Sequence, residues 1–349
     1  MKILVDLVHP SDVNFFKNAI KILKKDYNAD IDIFALPRGN LVPIFKKECG
    51  GYPFKSIGNY RTSLIGKAFG VADRGLQMLK YYNHHKFDVA TGFGGIGISH
   101  VAWILNKPSV IFEDDIEYKL GFYPYKSFAS CIVMPEYIDF EGERIVKYKG
   151  FKELAYLHPN YFTPDPKILD DYGVEPSQYV FIREVSNTTL NYSSLMIGQL
   201  QLVFTYLNDL GFKIIASLEE KSLKKKFESK CIILEEPVED IYSLLSFSSF
   251  TISSGDTMAR ESCLLGTPTI YTGGRDMLVN RELQKRSLLF KVDCIPEINE
   301  TITTIVNNNI KKHVSTEVKN AIESEWEDTT KVILNNLLNT ISEDPSQRI

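Results

Sequence analysis

Between the apolar run Phe250-Thr251-Ile252 and the helically spaced Ala259, Cys263 and Leu264 lies a short polar turn, Ser253-Ser254-Gly255, followed by Asp256 and Thr257. The pattern reads as strand, tight turn, helix. Such a turn directs free backbone N–H groups and the positive end of a helix dipole at one spot, an arrangement suited to a phosphate or diphosphate. Glu261 follows Ser254 by seven residues, two helical turns on, where a carboxylate can accept from the two hydroxyls of a ribose. The alternative is an ordinary strand-to-helix turn with Glu261 as a solvated helix residue.

A second glycine-rich turn, Gly92-Phe93-Gly94-Gly95, follows the strand-like Asp88-Val89-Ala90-Thr91. Gly94 and Gly95 would let backbone approach a ligand closely and expose N–H groups at the next helix start. Beyond Pro108 the apolar run Ser109-Val110-Ile111-Phe112 ends in Glu113-Asp114-Asp115, carboxylates able to orient a substrate hydroxyl or supply a base. His9 ends the first strand, at the mouth of the expected sheet, where ligands of open α/β folds bind. With a pKa of about 6.5 it could serve as general base, or it could simply cap the next helix. No His or Cys accompanies the acidic cluster, so no metal site is expected.

The elements that must position these groups alternate along the chain. Apolar Lys2–Val8, an amphipathic segment Val13–Lys25, the strand Asp30–Leu36, a helix at Leu41–Cys49, the strand Phe54–Ile57 and a long helix Leu64–His85 precede the glycine turn. His84-His85 would complement that helix's C-terminal dipole. From Lys149 to Pro166 prolines replace strand character, as in a connection between domains. A second α/β series then runs through Tyr179–Arg183, a helix Leu195–Leu210, Phe212–Ser217, Ile232–Leu234 and a short helix Val238–Leu245 into the Ser254 turn. A helical stretch Ser315–Ile341 and a frayed polar end, Ser342–Ile349, complete it. Alternation of this kind predicts parallel sheets with right-handed crossovers.

With 349 residues, two domains are expected. A net charge of −4 argues against a nucleic-acid partner. Five scattered cysteines, none in a C-x-x-C pair, predict reduced thiols in a cytoplasmic protein. No stretch reaches 18 apolar residues, which allows at most peripheral contact with the inner face of a membrane. The lysines between Lys221 and Lys230 read as a solvated helix face.

The two turns together resemble two stretches of the N-acetylglucosaminyltransferase that completes the lipid-linked peptidoglycan precursor. Gly92-Phe93-Gly94-Gly95, Pro108 and Phe112-Glu113-Asp114-Asp115 are similar to its Gly-x-Gly-Gly…Pro…Glu-x-Asn stretch, and Ser254-Gly255…Glu261…Gly266-Thr267-Pro268 to its donor-site Ser-Gly…Glu…Gly-x-Pro. Over most of residues 1 to 335, including Asp6…His9-Pro10…Phe15-Phe16-Lys17-Asn18 and Gly150-Phe151-Lys152-Glu153, the chain further resembles the DUF354 family. That family is grouped with GT-B glycosyltransferases and UDP-N-acetylglucosamine 2-epimerases. Two positions depart from the pattern. The related enzymes carry a Trp and a His-Asp pair where this chain has Glu184 to Asn191, and a small neutral residue where it has Asp256. A carboxylate beside a diphosphate is unfavourable unless it faces away or pairs with Arg260 or Arg275.

The resemblance implies a GT-B-like α/β fold, two Rossmann-like parallel-sheet domains facing a central cleft. Residues 1–155 would bind the acceptor, 156–178 form a linker, 179–330 bind the nucleotide sugar, and 331–349 form the C-terminal helix end and tail. It implies a metal-independent glycosyltransferase of surface-polysaccharide biosynthesis. Its donor would be a nucleotide diphosphate sugar, UDP-linked, as substrate without any cofactor, and its acceptor a glycan or lipid-linked glycoconjugate. Arg183, Ser254, Gly255, Thr257 and Glu261 would hold the donor, Gly94, Gly95 and Asp115 would lie on the acceptor side, and His9, Glu113 and Asp114 would be catalytic. A UDP-sugar 2-epimerase-like enzyme and a catalytically silent nucleotide-sugar-binding protein are the alternatives.

Overall fold

The computed structural model describes residues 1–61, 63–82, 85–186, 200–235 and 238–342. His84, the start of the expected Leu195–Leu210 helix and the tail beyond Ser342 lie outside the described residues. Two compact units divide the chain: Met1–His158 together with the chain from Glu327 onward, and Pro159–Trp326.

Unit 1 holds a seven-stranded sheet, all parallel: β1 (Lys2–Leu7), β2 (Asp30–Ala35), β3 (Lys55–Ser56), β4 (Val89–Phe93), β5 (Ser109–Phe112), β6 (Cys131–Pro135) and β7 (Ile145–Tyr148). The spatial order is β3-β2-β1-β4-β5-β6-β7. β1 is flanked by β2, in register Lys2 to Asp30, and by β4, in register Ile3 to Val89. It is buried along Ile3–Leu7, as a central strand covered on both faces must be. The helix Pro10–Tyr27 begins with a proline at its first position and a reciprocal cap between His9 and Asp12, and it ends at Asn28 in the left-handed region, φ 48°. Its Phe15 meets Phe93 and Phe112 edge-on, with ring centroids 5.0 and 5.1 Å apart, and so packs beneath the ends of β4 and β5.

Unit 2 has a six-stranded parallel sheet built from β8 (Tyr179–Glu184), β9 (Lys213–Leu218), β10 (Ile232–Ile233), β11 (Thr251–Ser253), β12 (Thr269–Tyr271) and β13 (Leu289–Lys291). Their order is β10-β9-β8-β11-β12-β13. Val180 and Ile182 of β8 join one core layer with Ile214, Ile252 and Ile270, while Tyr179 and Phe181 join the other with Ile215 and Leu244. This is the two-residue period of a strand buried on both faces.

The division differs from the expected one at both joins. The stretch expected to link the domains contains Ile168, Leu169 and Val174, which are buried in the unit 2 core. The C-terminal helix Thr329–Ser342 belongs to unit 1, where Thr329 and Thr330 hydroxyls donate to the carbonyls of Phe151 and Ala155 at 2.8 and 2.7 Å. The expected Ser315–Ile341 helix is two helices, Ile310–Ser324 and Thr329–Ser342. Strands β6 and β7 and the helix Lys119–Lys126, with Pro124 inside it, had no clear periodic signature.

Candidate functional site

In each sheet the strand order reverses beside the first strand of the unit, between β1 and β4 and between β8 and β11. Loops leaving the carboxyl ends of strands at such a reversal diverge and leave a crevice for a ligand. The candidate site residues stand in or just after β1, β4 and β5 of unit 1 and β8 and β11 of unit 2.

In unit 1, His9 follows β1. Its backbone N–H donates to Asp12 Oδ2 at 2.7 Å, and the Ser11 N–H donates to its Nδ1 at 3.3 Å. An N–H can only donate, so Nδ1 is the accepting nitrogen and Nε2 carries the proton. Burial, then the charges of Arg38 and Lys152, push the imidazole down to about 3, against a smaller opposing pull from Asp114. The general base expected of an ordinary histidine is therefore replaced by a neutral helix cap with an N–H donor at Nε2.

Glu113 is likewise committed to structure. Its Oε1 accepts the N–H groups of Asp114 and Asp115 at 3.0 and 2.9 Å, and its Oε2 accepts the Tyr125 hydroxyl at 2.5 Å. Burial raises its carboxyl to about 7, with the Tyr125 bond opposing. Its oxygens shape the loop after β5, so it positions Asp114 and Asp115. Buried Asp114 forms an ion pair with Lys152 at 2.9 Å, and the Lys152 ammonium lies 4.8 Å from the Phe93 ring centroid. Asp115 is half-buried beside them.

Gly94 adopts φ +59° and its N–H donates to Phe112 O at 2.9 Å, which fastens the β4 loop to β5. A Cβ on Gly95 would come 2.6 Å from Ile98 Cγ2 and 2.9 Å from Ile111 Cδ1. The glycines thus permit close packing beneath the start of the helix Ile96–Ile104. Asp6 is buried in an ion pair with Arg74, which also donates to Ile57 O.

Lys152, Arg38 and Arg74 carry this site's positive charge, and sequence reasoning assigned no role to any of them. Lys152 stands in the quoted Gly150-Phe151-Lys152-Glu153 stretch, the one signal that could have drawn attention to it.

In unit 2 the Ser254 hydroxyl accepts the Val185 N–H at 2.9 Å, and the Ser254 N–H donates to Arg183 O at 3.0 Å. Together they join the ends of β8 and β11. Gly255 is the N-cap of the helix Asp256–Leu264, without a side-chain cap, and its N–H donates to Ser253 Oγ at 3.1 Å. The first intrahelical bond runs from Ala259 N–H to Gly255 O at 3.1 Å, so the N–H groups of Asp256, half-buried Thr257 and Met258 precede it at the positive end of the helix.

The Asp256 carboxylate is turned to two partners. Oδ2 pairs with Arg275 at 3.0 Å and Oδ1 accepts the Tyr271 hydroxyl. Burial, with Asp256 adding to it, holds that phenol far above its ordinary range. Arg275 is one of the two partners anticipated. The other, Arg260, is buried, with its guanidinium donating to Asn280 Oδ1 at 3.1 Å and reaching Met277 S at 3.4 Å. Gly273 makes the Tyr271 contact possible, because a Cβ there would lie 2.4 Å from the Tyr271 hydroxyl and 2.6 Å from Ser254 O. Glu261 is buried, with Oε1 accepting from the Tyr242 hydroxyl at 3.2 Å. Arg183 donates to Ser217 Oγ at 2.6 Å and pairs with Glu219, which also accepts the Ser186 N–H at 2.9 Å. Arg183 thus closes the end of β8 with an ion pair to the neighbouring strand's loop.

Among the described residues no group of three or more His, Cys, Asp or Glu could hold a metal ion, and no helix is long and apolar enough to cross a membrane.

Two parallel-sheet α/β units with loops at a strand-order reversal in each define a protein of GT-B architecture, and solved structures with this fold match the chain end to end. The S. aureus MnaA–UDP co-structure is similar at TM-score 0.71 and 13% identity, covering 99% of this chain and 98% of that one. The UDP-GlcNAc 2-epimerase of Methanocaldococcus jannaschii in complex with UDP-GlcNAc and UDP gives TM-score 0.67 and 14% identity over 97% and 100%. The spinosyn forosaminyltransferase SpnP gives 0.67 and 12% over 98% and 100%. The family model described as protein of unknown function (DUF354) matches residues 1–342, and the chain belongs to that family. An uncharacterized protein of M. jannaschii is 24% identical over 313 residues, covering 85% of this chain and 89% of that relative. The structural neighbours thus include a UDP complex, a UDP-GlcNAc 2-epimerase and a glycosyltransferase.

Proposed function

We propose that the chain is a glycosyltransferase that uses a nucleotide diphosphate sugar, UDP-linked, and transfers the sugar to a hydroxyl of a glycan or glycoconjugate acceptor in surface-polysaccharide biosynthesis, without a metal ion. The observation that carries this reading is the orientation of Asp256. Its carboxylate is paired with Arg275 and accepts the Tyr271 hydroxyl, which leaves the first N–H groups of the helix Asp256–Leu264 to meet a diphosphate. Glu261, two turns along that helix, is the residue for the ribose hydroxyls. When the bond from the sugar C1 to the diphosphate oxygen breaks, the charge growing on the leaving group is met by fixed N–H groups and the helix dipole, the electrostatic role a metal plays elsewhere.

In unit 1 Asp114, held by Lys152, and the Nε2–H of His9 are the groups for orienting an acceptor hydroxyl. The acceptor oxygen attacks C1 and loses its proton to the carboxylate or to water.

The epimerase-like reading is favoured by the UDP-GlcNAc 2-epimerase among the structural neighbours and by the raised Glu113 carboxyl, since C2 chemistry needs an acid–base group near neutrality. The bonds that occupy both Glu113 oxygens weigh against it. Proton NMR of a UDP-N-acetylhexosamine incubated with the protein in deuterated water separates the two. Acceptor-dependent UDP release without exchange at C2 supports transfer, whereas exchange at C2 without an acceptor refutes it in favour of epimerisation. UDP binding with neither reaction across a broad acceptor panel refutes both, and leaves the silent binding protein.

A further inference from the structure

We propose that the Arg38 guanidinium, laid on the Tyr60 ring, is a site for the carboxylate of an acidic sugar, and that the acceptor is a uronate-bearing glycan. The carboxylate site stands on the geometry of unit 1; calling its ligand the acceptor rests on the transferase reading above. β1 and β2 leave the sheet side by side, because the Leu36 N–H donates to Leu7 O at 2.9 Å. His9 and Arg38 each follow two residues beyond that bond, at the carboxyl ends of adjacent strands, where ligands of such sheets bind.

Both partners of the stacked pair are held by their backbones. The turn that carries Arg38 is closed by the Leu41 N–H donating to Arg38 O at 3.1 Å. Beside it the exit of β3 is tied down, with the Ile57 N–H donating to Ala35 O at 3.0 Å and the Ile57 carbonyl accepting from buried Arg74. Gly58 then turns the chain at φ +82°, against Arg74 and Leu36, and brings Tyr60 beneath Arg38. The guanidinium carbon lies 4.7 Å from the ring centroid. An arginine laid on an aromatic face is oriented in advance, and the fork of N–H groups along its edge matches the two oxygens of a carboxylate.

The carboxylates around this exit are answered by other groups. Asp6 pairs with Arg74, Asp114 with Lys152, and Asp12 accepts the N–H groups of Val8 and His9 at 2.8 and 2.7 Å. Asp115 follows β5, two strands beyond β1. Arg38 is half-buried and makes no ion pair among the described residues, and its charge acts on the His9 imidazole. A partly desolvated cation that faces a ligand crevice is completed by an anion the ligand brings. One unanswered positive charge fits one carboxylate, whereas a diphosphate carries more charge than Arg38 alone can balance. The Nε2–H of His9, on the adjacent exit, then meets a hydroxyl of the same sugar.

The test is saturation-transfer NMR of the full chain with disaccharides ending in glucuronic or galacturonic acid, each paired with its neutral glucose or galactose counterpart. The expected result is binding of the acidic sugars in preference to the neutral ones, weakening as salt rises. Uronate binding should be about 10- to 100-fold weaker in Arg38→Gln. Arg38→Lys, which keeps the charge and loses the fork, should fall between the two. Equal binding of acidic and neutral sugars overturns the proposal, and so does parental uronate affinity in either variant. Displacement of the uronate by inorganic diphosphate at lower concentration than by free uronate also overturns it, since the site would then be one for phosphate. Failure of the transferase reading shows separately: uronates bind through Arg38 but do not raise UDP release from a UDP-sugar, which upholds the carboxylate site and removes its ligand as acceptor.

Discussion

Glu113 and Glu261 are both buried glutamates beside a strand-order reversal, and their surroundings give them different consequences. Three donors converge on Glu113, so removing its side chain leaves two N–H groups and a phenol unsatisfied in the interior. Each such group costs about 1–3 kcal/mol. Glu113→Ala is expected to lower the denaturation midpoint strongly, whereas Glu113→Gln keeps an accepting oxygen and lowers it little. The sign of its pH effect follows from the carboxyl being raised to about 7. The folded state binds the proton more tightly than an unfolded glutamate of pKa about 4.3, so this stability is full below pH 4 and is lost as pH rises through 7. Denaturant unfolding at pH 4.5 and pH 8 should show a smaller difference in Glu113→Gln than in the parent. An equal difference in both would remove Glu113 as its source.

Glu261 is the donor-side residue. Charge-assisted hydrogen bonds to ribose hydroxyls contribute about 1.5–3 kcal/mol, so Glu261→Ala should weaken UDP binding by about 10- to 100-fold in calorimetry. Unchanged affinity would take the ribose away from Glu261. The buried turn before the helix Asp256–Leu264 was readable as a strand-to-helix turn because its parts are local: a serine, a glycine and a carboxylate two turns along one helix. The pairing of Asp256 was half-readable, with Arg275 named but Tyr271 unseen. What could not be read was Lys152 beside Asp114, 38 residues away in sequence, and the fall of the His9 imidazole, which depends on burial and on charges from Arg38 and Lys152. Long-range pairs leave no local pattern.

At the level of elements, the loop after β12 and the helix Asp256–Leu264 are fitted to each other through one glycine. Gly273→Ala would bring a methyl carbon within 2.6 Å of the Ser254 carbonyl, and backbone cannot yield as a flexible side chain does. Forcing such an overlap costs about 1–3 kcal/mol and displaces Tyr271 from Asp256. Gly273→Ala should therefore lower both thermal stability and UDP affinity. Gly255→Ala, whose methyl meets Val185 Cγ1 at 3.1 Å, should be much milder. Equal effects of the two would show that the Tyr271–Asp256 contact does not govern the diphosphate turn. The strands of both sheets were legible because buried parallel strands are short apolar runs between helices of regular period. β6 and β7 were not: β6 is a lone apolar run of five residues with no helical period on either side, and the residues of β7 are exposed in part with its run interrupted by Lys147.

For the whole molecule, the path of the chain was the least legible feature, because nothing in a helical repeat says which core it will cover. The helix Thr329–Ser342 buries Val332, Ile333, Leu334 and Leu337 within unit 1, although it follows unit 2 in sequence. Each of these four side chains contributes about 1.5–3 kcal/mol on burial, so their sum rivals the entire stability of an ordinary domain, about 5–15 kcal/mol. The two buried threonine bonds to Phe151 and Ala155 would be lost with them. A chain ended after Trp326 should therefore keep unit 2 folded and lose unit 1, even though the whole of residues 1–158 is still present. Hydrogen exchange resolved by peptide is the measurement: amides of β8, β9 and β11 should stay protected while those of β1, β4 and β5 exchange freely. Protection of β1 in the shortened chain would mean that residues 1–158 fold alone and that the returning helix only covers a finished core.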